Sequence, residues 1–208
     1  MTININKVQQ QLGQVSELFP TPLYAMHDVL TSDQNQALVE KIHRMREVYG
    51  AGNISDWLSA HYSPDNCFKL ASLSDFVEFG PLIERITAGV NEFARYFGSN
   101  GTYECSNSWY NVYTTGKYQE FHIHPNEIFS AVYFMKVPEN APGIYFKRPG
   151  SGPMLPPKDI GRESPYHREF AIAPPREGTV VIFRSDLYHS VPPEIFDGER
   201  VTIALNFR

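Results

Sequence analysis

Two histidines separated by one residue, His122-Ile123-His124, are the part of this sequence best suited to chemistry. On an extended strand, residues i and i+2 point to the same face. Two imidazoles so placed can bind one metal ion. A third, His189, closes a later apolar run, and Arg200 follows it by eleven positions on the next expected strand. A guanidinium there can grip a carboxylate with two parallel hydrogen bonds. Together these residues predict a metal site with a neighbouring anion pocket. Imidazole suits iron, copper, zinc and nickel, so ligand type leaves the metal open.

The elements that must position these side chains fall into two zones. Before residue 103 the periodicity is helical. Thr31-Ser32-Asp33 offers N-cap chemistry, and Ala37, Leu38, Ile42 and Met45 follow at helical spacing, which predicts a helix over 32–48. Ser74-Asp75 can cap a second helical stretch running through Leu82, Ile86, Val90 and Phe93, with Gly80-Pro81 expected to interrupt it. Leu18 to Tyr24 reads as a Pro-bounded entry into a first strand. From Tyr103 onward the pattern is that of strands, at 103–115, 118–124, 128–137, 143–147, 168–173, 178–184, 187–193 and 200–207. Short strands with turn residues between them predict an antiparallel sandwich or barrel. The Pro-rich stretch 150–165 lacks periodicity and suits a lid. On the strands, Arg200, Thr202, Ala204 and Asn206 share a face by parity, as do Trp109, Asn111 and Tyr113, and Ser130, Val132 and Phe134; Tyr133 faces the other way.

Composition narrows the classes. A chain of 208 residues can bury roughly 70% of its unfolded surface, so it folds without a disulfide or a structural metal. The formal charge is −5 with no basic stripe, which argues against nucleic-acid binding. Cys67 and Cys105 lack metal-ligand spacing and read as reduced thiols of a cytoplasmic protein. The polar N-terminus shows no signal peptide, and no apolar run reaches membrane-spanning length. His27, His43, His61 and His167 stand alone and read as surface or core residues; His167, next to the expected lid, is the one with a route to substrate.

Several separated motifs occur in a recognisable order. Downstream, Gly178 leads a strand towards His189, and Arg200-Val-Thr202 follows. Upstream stand Trp109-x-Asn111, Gly116, His122-x-His124-Pro125, Ser130-x-Val132-Tyr133-Phe134 and Gly143-x-x-Phe146-x-Arg148-Pro149. This set resembles the iron(II)/2-oxoglutarate-dependent oxygenases, in particular the type found in marine bacteria and bacteriophages. The resemblance covers nearly the whole chain and is densest from Trp109 to Asn206. It implies one 2-oxoglutarate/Fe(II) oxygenase-like domain over 1–208. Residues 1–102 would form a helical flank with the first strand, and 103–208 a jelly-roll core. The expected fold is mainly β with α: a double-stranded β-helix (a cupin-like barrel) flanked by N-terminal helices.

The resemblance also implies roles. His122, His124 and His189 would hold Fe(II). Arg200 would bind the far carboxylate of 2-oxoglutarate with Thr202 beside it, and Ser130 would be a further cofactor contact. Asn111 would be either a 2-oxoglutarate contact or a satisfied core amide. The activity implied is a dioxygenase that consumes 2-oxoglutarate and O2, hydroxylates a substrate and releases succinate and CO2. The substrate is left open, and a homodimer is allowed. One departure stands out: the superfamily usually carries a carboxylate where this chain has His124. Glu127 or Asp186 are the alternative carboxylate donors. A cupin-type metalloenzyme without 2-oxoglutarate shares the paired histidines, but not the pairing of Arg200 with Thr202. A jelly-roll binding module without metal is the third reading.

Overall fold

The computed structural model describes residues 20–50, 64–150, 158, 168–193, 195 and 197–208. Leu18 and Phe19, His61, His167 and nearly all of the expected lid lie outside the described residues.

Among the described residues, ten strands form two antiparallel sheets. They are β1 (Tyr24–Met26), β2 (Asp65–Asn66), β3 (Cys105–Tyr113), β4 (Gln119–His122), β5 (Phe129–Lys136), β6 (Ile144–Lys147), β7 (Phe170–Ala173), β8 (Val180–Arg184), β9 (His189–Val191) and β10 (Arg200–Phe207). The larger sheet runs β1-β8-β5-β10-β3-β2, and the smaller runs β4-β9-β6-β7. From β3 onward the chain passes back and forth between the sheets, which is the double-stranded β-helix expected. Each of the eight strands expected after residue 102 is present. The two-residue strand β2 was not expected. It is polar and is held by pairing to β3 rather than by its own pattern.

Helix α1 (Ser32–Tyr49) begins as its sequence predicts. Thr31 Oγ1 accepts from the Gln34 amide while the Gln34 side chain accepts from the Thr31 amide, a capping box that satisfies two otherwise orphaned donors. Its buried face is Asn35, Leu38, Val39, Ile42 and Met45, and Ala37 is exposed. Asn35 is tied to β5 by both ends of its amide. Its Nδ2 donates to Met135 O at 2.7 Å, and its Oδ1 accepts from Tyr133 Oη at 3.0 Å.

The second helical stretch is interrupted at Gly80-Pro81, as the sequence predicts. Two 3-10 turns, Leu73–Asp75 and Val77–Phe79, precede α2 (Gly80–Tyr96). Ser74 and Asp75 lie inside the first turn and do not cap the helix, which Gly80-Pro81 opens. Proline fits a first helical turn, where its missing N–H has no intrahelical partner to lose.

Parity decides what each face of the larger sheet touches. Val201, Ile203, Leu205 and Phe207 pack with Ile42, Ile86 and Val90 of the helices. The alternate residues Arg200, Thr202, Ala204 and Asn206 face inward. A second, smaller cluster fills the space between the sheets, with Phe134, Phe146, Val181 and Phe183. All eight residues of β10 are buried because both of its faces are covered. The corner before β6 is tight. A Cβ on Gly143 would lie 2.3 Å from the Ala173 carbonyl oxygen. Gly143→Ala should therefore force β6 and β7 apart and cost about 1–3 kcal/mol. Thermal unfolding would read this as a lowered Tm, and an unchanged Tm would mean the corner relaxes freely.

Candidate metal centre

The three histidines come from two neighbouring strands of the smaller sheet. His122 ends β4 and sits directly opposite His189 at the start of β9. His124 lies just past β4, so simple strand alternation does not place it. Its backbone N–H donates to Ser185 O at 3.0 Å, which pins this segment to the loop before β9. One ligating atom from each ring falls within 4.8 Å of the other two. Ring centroids are 4.2 Å apart for His122 and His189, 5.0 Å for His122 and His124, and 5.1 Å for His124 and His189.

The electrostatics suit a metal. Burial lowers the pKa of all three rings, and the mutual repulsion of the rings adds to this for His124 and His189. His124 is pushed down to about 3. The rings are therefore neutral near pH 7 and keep a lone pair for coordination. His122 Nδ1 lies 2.8 Å from Glu120 O, and His189 Nδ1 lies 2.8 Å from Leu187 O. A carbonyl only accepts, so both Nδ1 atoms carry the proton and both Nε2 atoms present the lone pair. This is the outer-shell arrangement that orients metal-binding imidazoles. The third ring leans on Trp109, 5.7 Å between centroids, and on Asn206, whose Nδ2 lies 3.5 Å from His124 Nδ1. Asn206 is itself fixed, because its Oδ1 accepts from Ser130 Oγ at 2.9 Å.

Neither alternative carboxylate joins this group. Glu127 accepts from Ser106 Oγ at 2.7 Å. Asp186 is exposed and lies 3.6 Å from Arg184. Among the described residues the donor set is three imidazoles.

These side chains line a cavity of about 570 Å3, within the range of small-molecule sites. Arg200 lies in its wall, fully buried. Its Nη1 donates to Pro142 O at 2.6 Å, and its guanidinium lies 4.4 Å from the centre of the Tyr113 ring. Thr202 follows on the same inward face, flanked by Asn111 on β3 and Phe134 on β5. Asn111 and Ser130 also line the cavity, but the Ser130 hydroxyl is engaged with Asn206 and Ser185. His122, His124, His189, Arg200, Thr202, Asn111 and Ser130 thus all border one cavity. The isolated histidines within the described residues do not: His27 meets Thr179, and His43 meets Glu199.

Gln119 is a cavity residue that escaped sequence reasoning. Gln119 is buried and lines the same space. Strict alternation along β4 would put it on the face opposite His122. Between the pairs Gln119↔Val191 and His122↔His189, β4 spends one residue more than β9. This bulge turns both side chains inward, and nothing in the local sequence announces it.

Metal-free protein should show the burial of these rings in its pH dependence. The ordinary pKa is 6.5 and the folded values are lower. Between the two, the unfolded state binds more protons, so stability rises with pH. The contribution is complete above about pH 6.5 and is lost as pH falls towards 3. Urea titrations at pH 7.5 and 5 should show a loss of stability that shrinks in His124→Gln. An identical loss in that variant would assign the effect to other groups.

A family profile described as "Putative 2OG-Fe(II) oxygenase" matches residues 107–206. This segment runs from β3 to β10 and includes all three histidines and Arg200. No curated protein matches the chain in sequence. Among solved structures, HygX from Streptomyces hygroscopicus, with nickel and 2-oxoglutarate bound, is similar at 13% identity and TM-score 0.62, covering 90% of this chain and 82% of HygX. The viral collagen prolyl hydroxylase of Paramecium bursaria Chlorella virus-1 gives 13% identity and TM-score 0.54, over 89% and 94% of the two chains. A prolyl-4-hydroxylase of Pseudomonas putida gives 15% and 0.55, over 90% and 92%. At these identities the likeness speaks for the fold. The matched family model speaks for the chemistry: residues 107–206 carry the pattern of the 2OG-Fe(II) oxygenases.

Proposed function

We propose that this protein is a hydroxylase that couples the oxidative decarboxylation of 2-oxoglutarate to oxidation of a C–H bond in a second substrate. The products are succinate, CO2 and the hydroxylated substrate. The observation that carries this reading is the shared cavity, with three neutral imidazoles converging in one part and a buried arginine in another.

His122, His124 and His189 would hold Fe(II), the first and last through Nε2. When bound, Fe(II) supplies the open coordination positions and the redox chemistry for 2-oxoglutarate and O2. The protein contributes position and dryness. Arg200 would pair with the far carboxylate of 2-oxoglutarate, with Thr202 and Asn111 beside it. A buried guanidinium in the cavity wall presents a fork that matches a carboxylate, which favours an anionic ligand. The apolar walls, including Phe134, Phe183 and Val132, would keep water from the reacting groups. The three-imidazole donor set is the one feature that favours the cupin-type alternative. With a neutral third ligand, the near carboxylate of 2-oxoglutarate would offset one charge of Fe(II), since the far carboxylate pairs with Arg200.

The prolyl hydroxylases and the hygromycin-bound HygX among the similar structures take very different substrates, so the substrate class stays open. The free thiols of Cys67 and Cys105 suit a reducing compartment, and we assign the protein to the cytoplasm on that ground. No helix among the described residues is long and apolar enough to cross a membrane.

The test is incubation of Fe(II)-loaded protein with 2-oxoglutarate and candidate substrates under labelled O2. A product carrying one oxygen atom from O2, formed only with 2-oxoglutarate present, is expected. The same product formed at the same rate without 2-oxoglutarate would favour the cupin-type alternative.

A further inference from the structure

We propose that Gln119 is a second donor to the far carboxylate of the dicarboxylate co-substrate, opposite Arg200 across the cavity. This rests on the reading above that 2-oxoglutarate binds here.

Three observations converge on Gln119. It is 8% exposed, it borders the cavity, and its Nε2 is buried without a hydrogen-bond partner in the protein. Buried amide donors are nearly always paired. A donor left open towards a ligand cavity is what a ligand acceptor would complete. The second observation is the bulge in β4. A regular strand would turn Gln119 away from the interior, and the extra residue turns it in. Bulges of this kind gather next to active sites because they re-aim a side chain.

The third observation is its level in the barrel. His122, His189 and Phe146 lie side by side across β4, β9 and β6. Two residues further along β9, Val191 faces Gln119. Continuing the β9–β6 pairing from Ser190↔Tyr145 sets Ile144 beside Val191. The chain before Ile144 is Pro142-Gly143, and Pro142 O is the acceptor for Arg200 Nη1. Gln119 therefore lies two strand residues from the level of the imidazoles, towards the end of the barrel where Arg200 is anchored. Two residues of strand separate these levels by roughly 7 Å, a span that suits a five-carbon dicarboxylate with one end at the metal. Arg200 supplies charge and Gln119 supplies a neutral N–H. A carboxylate oxygen can accept from both at once.

The experiment compares two ligands of equal length in the anaerobic Fe(II)-loaded protein by titration calorimetry. One is 2-oxoglutarate; the other is 2-oxopentanoate, which keeps the 2-oxoacid end but lacks the far carboxylate. Gln119→Leu should weaken 2-oxoglutarate about tenfold, the scale of a hydrogen bond to a charged group, and leave 2-oxopentanoate unchanged. Gln119→Glu keeps the shape and adds a repelling charge. It should weaken 2-oxoglutarate more than the leucine variant does, again sparing 2-oxopentanoate. Should the leucine variant fail to fold, the glutamate variant decides alone. Unchanged 2-oxoglutarate affinity in the variants overturns the proposal. So does an equal loss for both ligands, which would give the amide a structural role. Wild-type protein that binds no 2-oxoglutarate would instead sink the reading beneath it. Wild-type binding that depends on Arg200 but not on Gln119 would sink this proposal alone.

Discussion

Replacing His189 with alanine is expected to abolish stoichiometric Fe(II) binding while leaving the fold intact. His189 is the most buried of the three rings, and it closes the set from the second strand. Removing it leaves His122 and His124, two neutral donors within one short segment. Loss of one of three protein ligands should weaken the metal at least 100-fold, since even outer-shell changes cost 10- to 100-fold. The void left by the ring is bordered by Phe183, whose centre lies 4.7 Å from that of His189. The stability of the metal-free protein should therefore fall by no more than a few kcal/mol. Metal analysis after equilibrium dialysis, together with a melting curve, checks both parts. A variant that folds and keeps one tightly held iron per chain would remove His189 from the ligand set.

Arg200→Lys is expected to weaken 2-oxoglutarate strongly and leave metal content unchanged. Arginine presents a planar fork that matches a carboxylate, whereas lysine presents a single point charge on a flexible stem. The geometry leaves lysine little room to compensate. Arg200 lies over the Tyr113 ring and is anchored to Pro142 O by one arm, which orients the rest of the fork. Losing one charge-assisted hydrogen bond and this orientation should cost about 1.5–3 kcal/mol, or roughly 10- to 150-fold in affinity. Calorimetric titration with 2-oxoglutarate reads the effect directly. Equal affinity in the variant would move the anion pocket elsewhere and favour a cupin-type enzyme.

Much of this site is legible in the sequence because strand parity is a strong rule where both faces are buried. Arg200, Thr202, Ala204 and Asn206 share the cavity face, while Val201, Ile203, Leu205 and Phe207 share the helix face. Ser130, Val132 and Phe134 behave in the same way, and Tyr133 turns outward to bond Asn35 on α1. The cap of α1 is equally readable, since Thr31 and Gln34 satisfy each other locally. Parity fails where the backbone departs from it. The bulge in β4 brings Gln119 inward, and this depends on pairing with β9, about seventy residues away in sequence. His124 joins the other imidazoles through an irregular segment held by Ser185, so the i, i+2 spacing pointed to the right residue although β4 ends at His122. The division of the second helical stretch at Gly80-Pro81 is readable too, but the Ser74-Asp75 cap is not borne out: both residues lie in a 3-10 turn that packs against β3.

The absence of a carboxylate from the described donor set makes the identity of the co-substrate the decisive point. The most direct measurement is succinate formed from 2-oxoglutarate by the Fe(II)-loaded protein in air, without any second substrate. A low but steady rate suffices. Succinate should appear in step with 2-oxoglutarate consumed, require both Fe(II) and O2, and fall to background in His189→Ala and sharply in Arg200→Lys. Iron-loaded wild-type protein that binds no 2-oxoglutarate and forms no succinate would contradict the account.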